Sequence, residues 1–405
     1  MSAETSADRS SIVELFDRFV VPTYRRSLVL THGAGSYVWD SEGKRYLDFG
    51  GGIAVSSLGH AHPRMVKVIS EQAAKLIHTS NLYYHEPQGR LAEKLVGLTG
   101  PGKVFFCNSG AEANEAMFKL ARKFGSTTGD RFEIITATNS FHGRTLAGIS
   151  ATGQEKVKIG FGPLVPGFLY APFNDLDAFE RAITDRTVAI MIEGIQGEGG
   201  IVPASYEFLT GLRKLTRERN LLFLLDAVQC GMFRTGCFQS YERIVEERGC
   251  LIEEVRPDGI SMAKSLGGGF PLGAAWISAP FADVLQPGSH GTTYGGTPLA
   301  CTVALEVLQT IEDENLSGNV RKIGQRLFQG LTALKEQGLP IKAVRGYGAL
   351  IGFSVDGDLP TRVANLAEGG LLSVPAGTDT IRLLPSLNAS LAEADEALSI
   401  VEKHL

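Results

Sequence analysis

A chain of 405 residues, 43% hydrophobic and 20% charged, is long enough for a large core and for more than one domain, and its composition excludes a disordered or fibrous protein. The formal charge of −5 and pI near 6.0 leave no electrostatic footprint for nucleic acid or an anionic membrane, so small molecules are the expected partners. The five cysteines, Cys107, Cys230, Cys237, Cys250 and Cys301, are odd in number and lack CxxC spacing, which points to a reducing cytoplasm rather than a disulfide framework or a zinc knuckle.

The start, MSAETSAD, is polar and carries acids, unlike a secretory signal or an Arg-rich transit peptide. No apolar run approaches the roughly 20 residues of a bilayer span. Residues 36–49 read as a hairpin turning at Glu42-Gly43. His60 and His62, in GHAHP at 59–63, have no third ligand in view and stand beside a proline, so they read as a turn held by side-chain hydrogen bonds and no metal is assigned.

The runs 103–107, 132–136, 188–192 and 221–225 are short and almost continuously apolar, as strands buried on both faces are. With helical segments between them they predict a parallel α/β sheet. Between the first two, Ala113, Ala116, Met117, Leu120, Ala121 and Phe124 recur at helical spacing and predict a helix over 110–124, with Ser109 and Glu112 as a capping box and Glu115 pairing with Lys119. A second long amphipathic helix is expected from about Thr302. The expected organisation is a large central domain over 71–300, flanked by a smaller α+β domain built from 1–70 and 301–405.

Four segments carry candidate chemistry. Asn108-Ser109-Gly110-Ala111 joins a strand to a helix N-terminus, where free N–H groups and the helix dipole favour a phosphate; the alternative is that Ser109 only caps the helix. Phe141, in FHGR, can stack on a flat ligand or fill core, and Arg144 can grip a carboxylate or face solvent. Asp226 ends an apolar strand at the sheet's carboxyl edge, where it can meet a protonated ring nitrogen or cap the next helix, with Val228 able to pack on a ring face and Gln229 able to reach a ring hydroxyl. Lys264 closes the strand-like run before three glycines in DGISMAKSLGGGFPLGA at 258–274, where it can be a Schiff-base lysine or only the solvated end of a strand. Arg382, in Ile381-Arg382-Leu383-Leu384, can be a surface charge, although an arginine inside so apolar a stretch asks for an anionic partner.

In this order the segments GHAHP (59–63), HTSNLYY (78–84), NSGAEANE (108–115), FHGRT (141–145), EGIQGEGG (193–200), DAVQ (226–229), AKSLGGGFP (263–271) and HGTTYGG (290–296) resemble the class III pyridoxal-phosphate-dependent aminotransferases, in their acetylornithine aminotransferase branch. The likeness runs from about Tyr24 to Leu387. It implies the PLP-dependent transferase fold type I and an obligate homodimer with shared active sites. It also implies pyridoxal 5'-phosphate held covalently by Lys264, with Ser109, Gly110 and Ala111 at the phosphate, Phe141 stacked on the ring, Asp226 on its nitrogen, and Val228 and Gln229 beside it. Thr293 would reach the phosphate of the neighbouring subunit. Arg144, Thr292, Tyr24, Glu198 and Arg382 would meet substrate, Arg382 taking the α-carboxylate of glutamate.

The implied reaction moves the terminal amine of N-acetylornithine, or of ornithine, succinylornithine or 4-aminobutyrate, to 2-oxoglutarate, as in arginine biosynthesis. A non-catalytic binding protein on the same scaffold is the contrasting expectation. Two positions depart from the family's usual pattern, Ala227 in place of glutamate and Gly194 in place of proline. Without a carboxylate at 227, Arg382 is expected either to stay open or to find another acid such as Glu198, shifting the balance between donor and acceptor half-reactions.

Overall fold

The computed structural model describes residues 9–405; the polar start at 1–8 lies outside the described residues. The central sheet has seven strands: β4 (Gly102–Cys107), β5 (Glu133–Ala137), β6 (Phe168–Ala171), β7 (Thr187–Glu193), β10 (Leu222–Asp226), β11 (Gly259–Met262) and β12 (Gly273–Ser278), in the order β4-β12-β11-β10-β7-β5-β6. Every residue of β5, β7, β10 and β11 is buried, so these strands are covered on both faces. The expected parallel sheet contains one reversal. β12 runs antiparallel to both neighbours, and its opening Gly273-Ala274-Ala275 carries little strand signal ahead of Trp276 and Ile277.

The helix predicted over 110–124 spans Gly110–Ser126. Its expected reciprocal capping box is only half formed. Ser109 Oγ accepts from Glu112 N at 3.3 Å, but the Glu112 carboxylate turns back to Asn108, accepting from its backbone N at 2.6 Å and its Nδ2 at 3.1 Å. The expected Glu115–Lys119 pair is also absent, because Glu115 accepts from Thr145 Oγ1 while Lys119 Nζ reaches Ser289 O and the His290 ring. The second long helix starts at Pro298, with Thr297 as its cap, rather than at Thr302.

Two further sheets flank the central one. The first joins β1 (Leu30–Ala34), β2 (Tyr37–Asp40) and β3 (Arg45–Asp48) to β15 (Leu371–Leu372), which lies parallel to β3. The turn between β2 and β3 has Gly43 at φ +82°, which glycine adopts without strain. The second contains β13 (Ile341–Tyr347), β14 (Leu350–Val355), β16 (Val374–Ala376) and β17 (Thr380–Leu383), all antiparallel. One hydrophobic cluster unites Leu47 and Phe49 with Ile323, Leu327, Phe353, Ile381 and Val401. A two-strand ribbon, β8 (Ile195–Gln196) with β9 (Val202–Pro203), follows the end of β7.

Candidate active site

The carboxyl ends of β7, β10 and β11 deliver Glu193, Asp226 and Ser261 side by side, since Asp226 is in register with Glu193 on one side and with Ser261 on the other. Over this edge opens a cavity of about 410 Å³, a size suited to a cofactor with a small substrate. Ser109, Gly110, Ala111, Phe141, Arg144, Glu198, Asp226, Val228, Gln229 and Lys264 all line it. Sequence positions more than 150 residues apart thus converge on one space.

At one wall stands the N-terminus of helix Gly110–Ser126, whose first-turn N–H groups have no intrahelical acceptor. Gly110 is required here by packing. A Cβ added to it would lie 2.5 Å from Val228 Cγ1, so backbone and valine already share the space that a side chain would fill.

Asp226 is 3% exposed and held on both oxygens. Oδ2 accepts from Asn114 Nδ2 at 2.7 Å and pairs with His142 Nδ1 at 2.8 Å, while Oδ1 accepts from Val228 N at 3.0 Å. Asn114 in turn accepts from Ser261 Oγ at 2.6 Å. Full burial works to lower the His142 pKa, yet the hydrogen bond and charge of Asp226, with the charge of Glu193, raise it. Burial pushes Glu193 up to about 7, against the attraction of His142 and its hydrogen bonds from Gly197 and Phe141 N–H. His142, Asn114, Ser261 and Glu193 are site residues that sequence reasoning did not single out. The available signal was a polar residue ending each of three apolar strands, plus Asn114 one helical turn beyond Gly110.

Lys264 follows β11 with φ +49°, a left-handed conformation unusual for a side chain of this size. Burial and the positive charge of Arg382 hold its amine down at about 8, against the pull of Glu198, Asp226 and Glu193. Arg382 is 1% exposed, behind the cavity wall. Its Nη1 meets Glu198 Oε1 and donates to Gln229 Oε1, each at 2.8 Å, and its Nη2 donates to Pro375 O at 3.2 Å. Of the two expectations for this arginine, the structure shows the second, a pair with Glu198. Gln229 therefore spends its oxygen on Arg382 in this state rather than pointing it free into the cavity. Arg144 stacks its guanidinium over Phe141, 5.4 Å from the ring centre.

Three expected residues are not brought to the cavity within one chain. Tyr24 is 73% exposed and lines a separate hollow against the helix Arg9–Phe19. Thr292 accepts from Asn108 Nδ2 at 3.1 Å on the far side of the phosphate-type loop, beside a different hollow. Thr293 is exposed. The histidines of GHAHP are engaged with carboxylates: His60 Nε2 lies 2.8 Å from Asp48 Oδ2 and His62 Nε2 3.9 Å from Glu314 Oε1.

A pyridine cofactor carrying a phosphate fits these residues. The helix N-terminus accepts the anion, Asp226 supplies a buried carboxylate, Val228 and Phe141 offer apolar faces, and Lys264 presents an amine of lowered basicity. Fold and site together define a pyridoxal-phosphate-dependent transferase of fold type I. The family described as "Aminotransferase class-III" matches residues 20–405, and the chain belongs to it. It is 47% identical to an acetylornithine aminotransferase of Gloeobacter violaceus over 97% of both chains. It is 44% identical to a succinylornithine transaminase/acetylornithine aminotransferase of Pseudomonas aeruginosa, over 96% of this chain and 95% of that one. Among solved structures it superposes with TM-score 0.92 on an ornithine aminotransferase of Toxoplasma gondii, reported with PLP at partial occupancy in its active site, at 32% identity over 99% and 95% of the two chains.

Proposed function

We propose that this aminotransferase moves the terminal amine of N-acetylornithine to 2-oxoglutarate, forming the semialdehyde and glutamate, as a step of arginine biosynthesis. The observation that carries the reading is the shared cavity: Lys264, the Asp226 cluster, the helix N-terminus and Arg144 face one space, with Arg382 masked by Glu198 behind it. When bound, pyridoxal phosphate supplies a carbonyl that condenses with amines and a protonated ring that draws in the electron pair left at carbon.

The chain's own residues do the rest. Gly110 and Ala111 N–H, with Ser109 at the helix start, hold the phosphate. Asp226 keeps a proton on the ring nitrogen, and His142 and Asn114 fix its Oδ2 so that Oδ1 and the carboxylate plane stay oriented. Lys264 Nζ would hold the cofactor's aldehyde and, when free of it, would take the proton from the carbon bearing the substrate's amine. Phe141 and Val228, both lining the cavity, would offer apolar surface to the ring. Arg144 binds the donor's carboxylate, and Glu198 covers Arg382 until glutamate or 2-oxoglutarate arrives with a second carboxylate to claim it.

The exposed apolar side chains Leu82 (82%), Tyr83 (69%) and Tyr294 (66%) support a homodimer in which Thr292, Thr293 and Tyr24 complete the partner's site. The five cysteines are free, which supports a reducing, cytoplasmic location. The deciding experiment is single-turnover spectroscopy with N-acetylornithine, succinylornithine, ornithine, 4-aminobutyrate and glutamate in parallel. Fastest conversion with N-acetylornithine supports the reading, and a preference for succinylornithine, in keeping with the double activity named for the Pseudomonas relative, replaces it.

A further inference from the structure

Arg234 is fully buried at 0% exposure, and burial alone pushes its pKa down to about 10. Among the described residues no carboxylate pairs with it, and its Nε has no hydrogen-bond partner. A guanidinium without an anion is costly to bury, so its use here is geometric: the planar fork joins fixed points. Nη2 donates to Ser265 Oγ at 3.3 Å, and Nη1 donates to Ala349 O at 3.4 Å and to Pro385 O. Its own carbonyl accepts from Ala349 N at 2.9 Å. These partners come from three segments: Ser265 follows Lys264, Pro385 follows the strand that carries Arg382, and Ala349 sits in the turn between β13 and β14.

Ser265 is itself a junction. Its Oγ donates to Ala54 O at 2.9 Å, and its carbonyl accepts from Ser57 Oγ at 3.1 Å. Ile53 and Ala54 sit at φ +62° and +63°, and Lys264 at +49°. Side chains persist in this left-handed region only where their surroundings over-determine them. Ser265 touches both strained segments. Val55, next after Ala54, lines the same cavity as Lys264.

We infer that Arg234, acting through Ser265, is a positioning residue that fixes Lys264 relative to Arg382 and so sets the span between the reacting amine and the guanidinium that takes a carboxylate. The inference rests on the roles proposed above for those two residues. It goes further in naming what holds them in register, since Arg234 is not among the residues that line the Lys264 cavity.

The test uses the full chain loaded with pyridoxal phosphate, in Ser265→Ala and Arg234→Lys variants. Ser265→Ala removes only a hydroxyl and keeps the test open if Arg234→Lys does not fold. A loosened span leaves each binding point intact but misaligns them, so kcat per bound cofactor with glutamate falls about tenfold or more while KM stays within about twofold. The pH midpoint of the visible absorbance of the lysine-bound cofactor shifts in the same variants. In the cofactor-free protein, hydrogen exchange rises together at 261–267 and 384–387 and not elsewhere in the sheet. A lowered Tm with unchanged kcat per bound cofactor, unchanged absorbance midpoint and uniform exchange overturns the inference, leaving Arg234 a packing residue. If the unaltered protein shows no visible absorbance with pyridoxal phosphate, the parent reading fails first and the inference with it.

Discussion

Glu198→Gln removes the negative charge from the 2.8 Å contact with Arg382 and keeps an oxygen in its place. Two unit charges about 4 Å apart attract by about 4 kcal/mol at an effective dielectric near 20. Glu198 is 31% exposed on its side chain, so solvent screening and desolvation reduce that, and about 1.5–3 kcal/mol is the expected net for a charge-assisted hydrogen bond. Glutamate must displace this contact to place a carboxylate on Arg382. Its affinity in Glu198→Gln should therefore improve by about 10- to 100-fold, at 1.4 kcal/mol per decade. A terminal-amine donor brings no second carboxylate, leaves Arg382 uncovered, and should lose rate by a comparable factor. The Lys264 amine follows: Glu198 now raises its pKa, so removing that charge moves it below the present value of about 8. Single-turnover absorbance with glutamate and with N-acetylornithine measures both half-reactions on one sample. A glutamate affinity that is unchanged or weaker, or half-reactions altered by the same factor, refutes the masking argument.

Other consequences follow from the same geometry. With the Lys264 pKa at about 8, about a tenth of the amine is neutral at pH 7, so the rate of cofactor loading in stopped flow should rise with pH through about 8 and then level, instead of climbing toward 10.5. Because this folded-state value lies below the unfolded one, the same group should make the cofactor-free protein more stable as pH rises from about 8 to about 10.5, an effect Lys264→Met removes in thermal melts. Gly110→Ala drives a Cβ to 2.5 Å from Val228 Cγ1, a stiff β-branched side chain, and should weaken cofactor binding about tenfold by fluorescence titration with the far-ultraviolet spectrum unchanged. Asp258→Ala leaves the part-buried Arg213 without its two-pronged partner at 2.7 and 2.9 Å and strips the acceptor from the buried Phe223 N, so urea melts should show a loss of about 3 kcal/mol.

The parts of this molecule that were legible in sequence are those governed by local pattern. The 3.6-residue rhythm of helix Gly110–Ser126 and the apolar runs of β7 and β10 announce themselves, because continuous burial leaves no polar residue to interrupt them. β12 escaped because alanine and glycine carry almost no strand preference, and its reversal is imposed by pairing with β4 and β11. Lys264 and Asp226 stand out as single charges at the ends of such runs. His142 did not, since its importance depends on a partner 84 positions away that only the neighbouring strands bring within 2.8 Å. The Glu112 and Glu115 contacts went astray for a related reason: each side chain had a nearer acceptor-hungry group outside the helix than the one its spacing suggested. Tyr24, Thr292 and Thr293 lie outside the cavity within one chain, and only the second copy proposed above would give them a role at a site.

The pairing of Leu371 and Leu372 with Leu47 and Asp48 closes a loop of about 320 residues. On a ribosome adding about 5–20 residues per second, the β3 edge waits roughly 15–65 s for its partner. By then the helix N-terminus, Asp226 and Lys264 have all emerged, while Arg382 is still to come. The chemistry is thus synthesised before the second of the two arginines proposed to choose its substrate. At that stage the nascent chain holds Lys264 and Arg144 but not Arg382, so the means proposed here for telling a substrate with two carboxylates from one with a single carboxylate arrives only with the final strand.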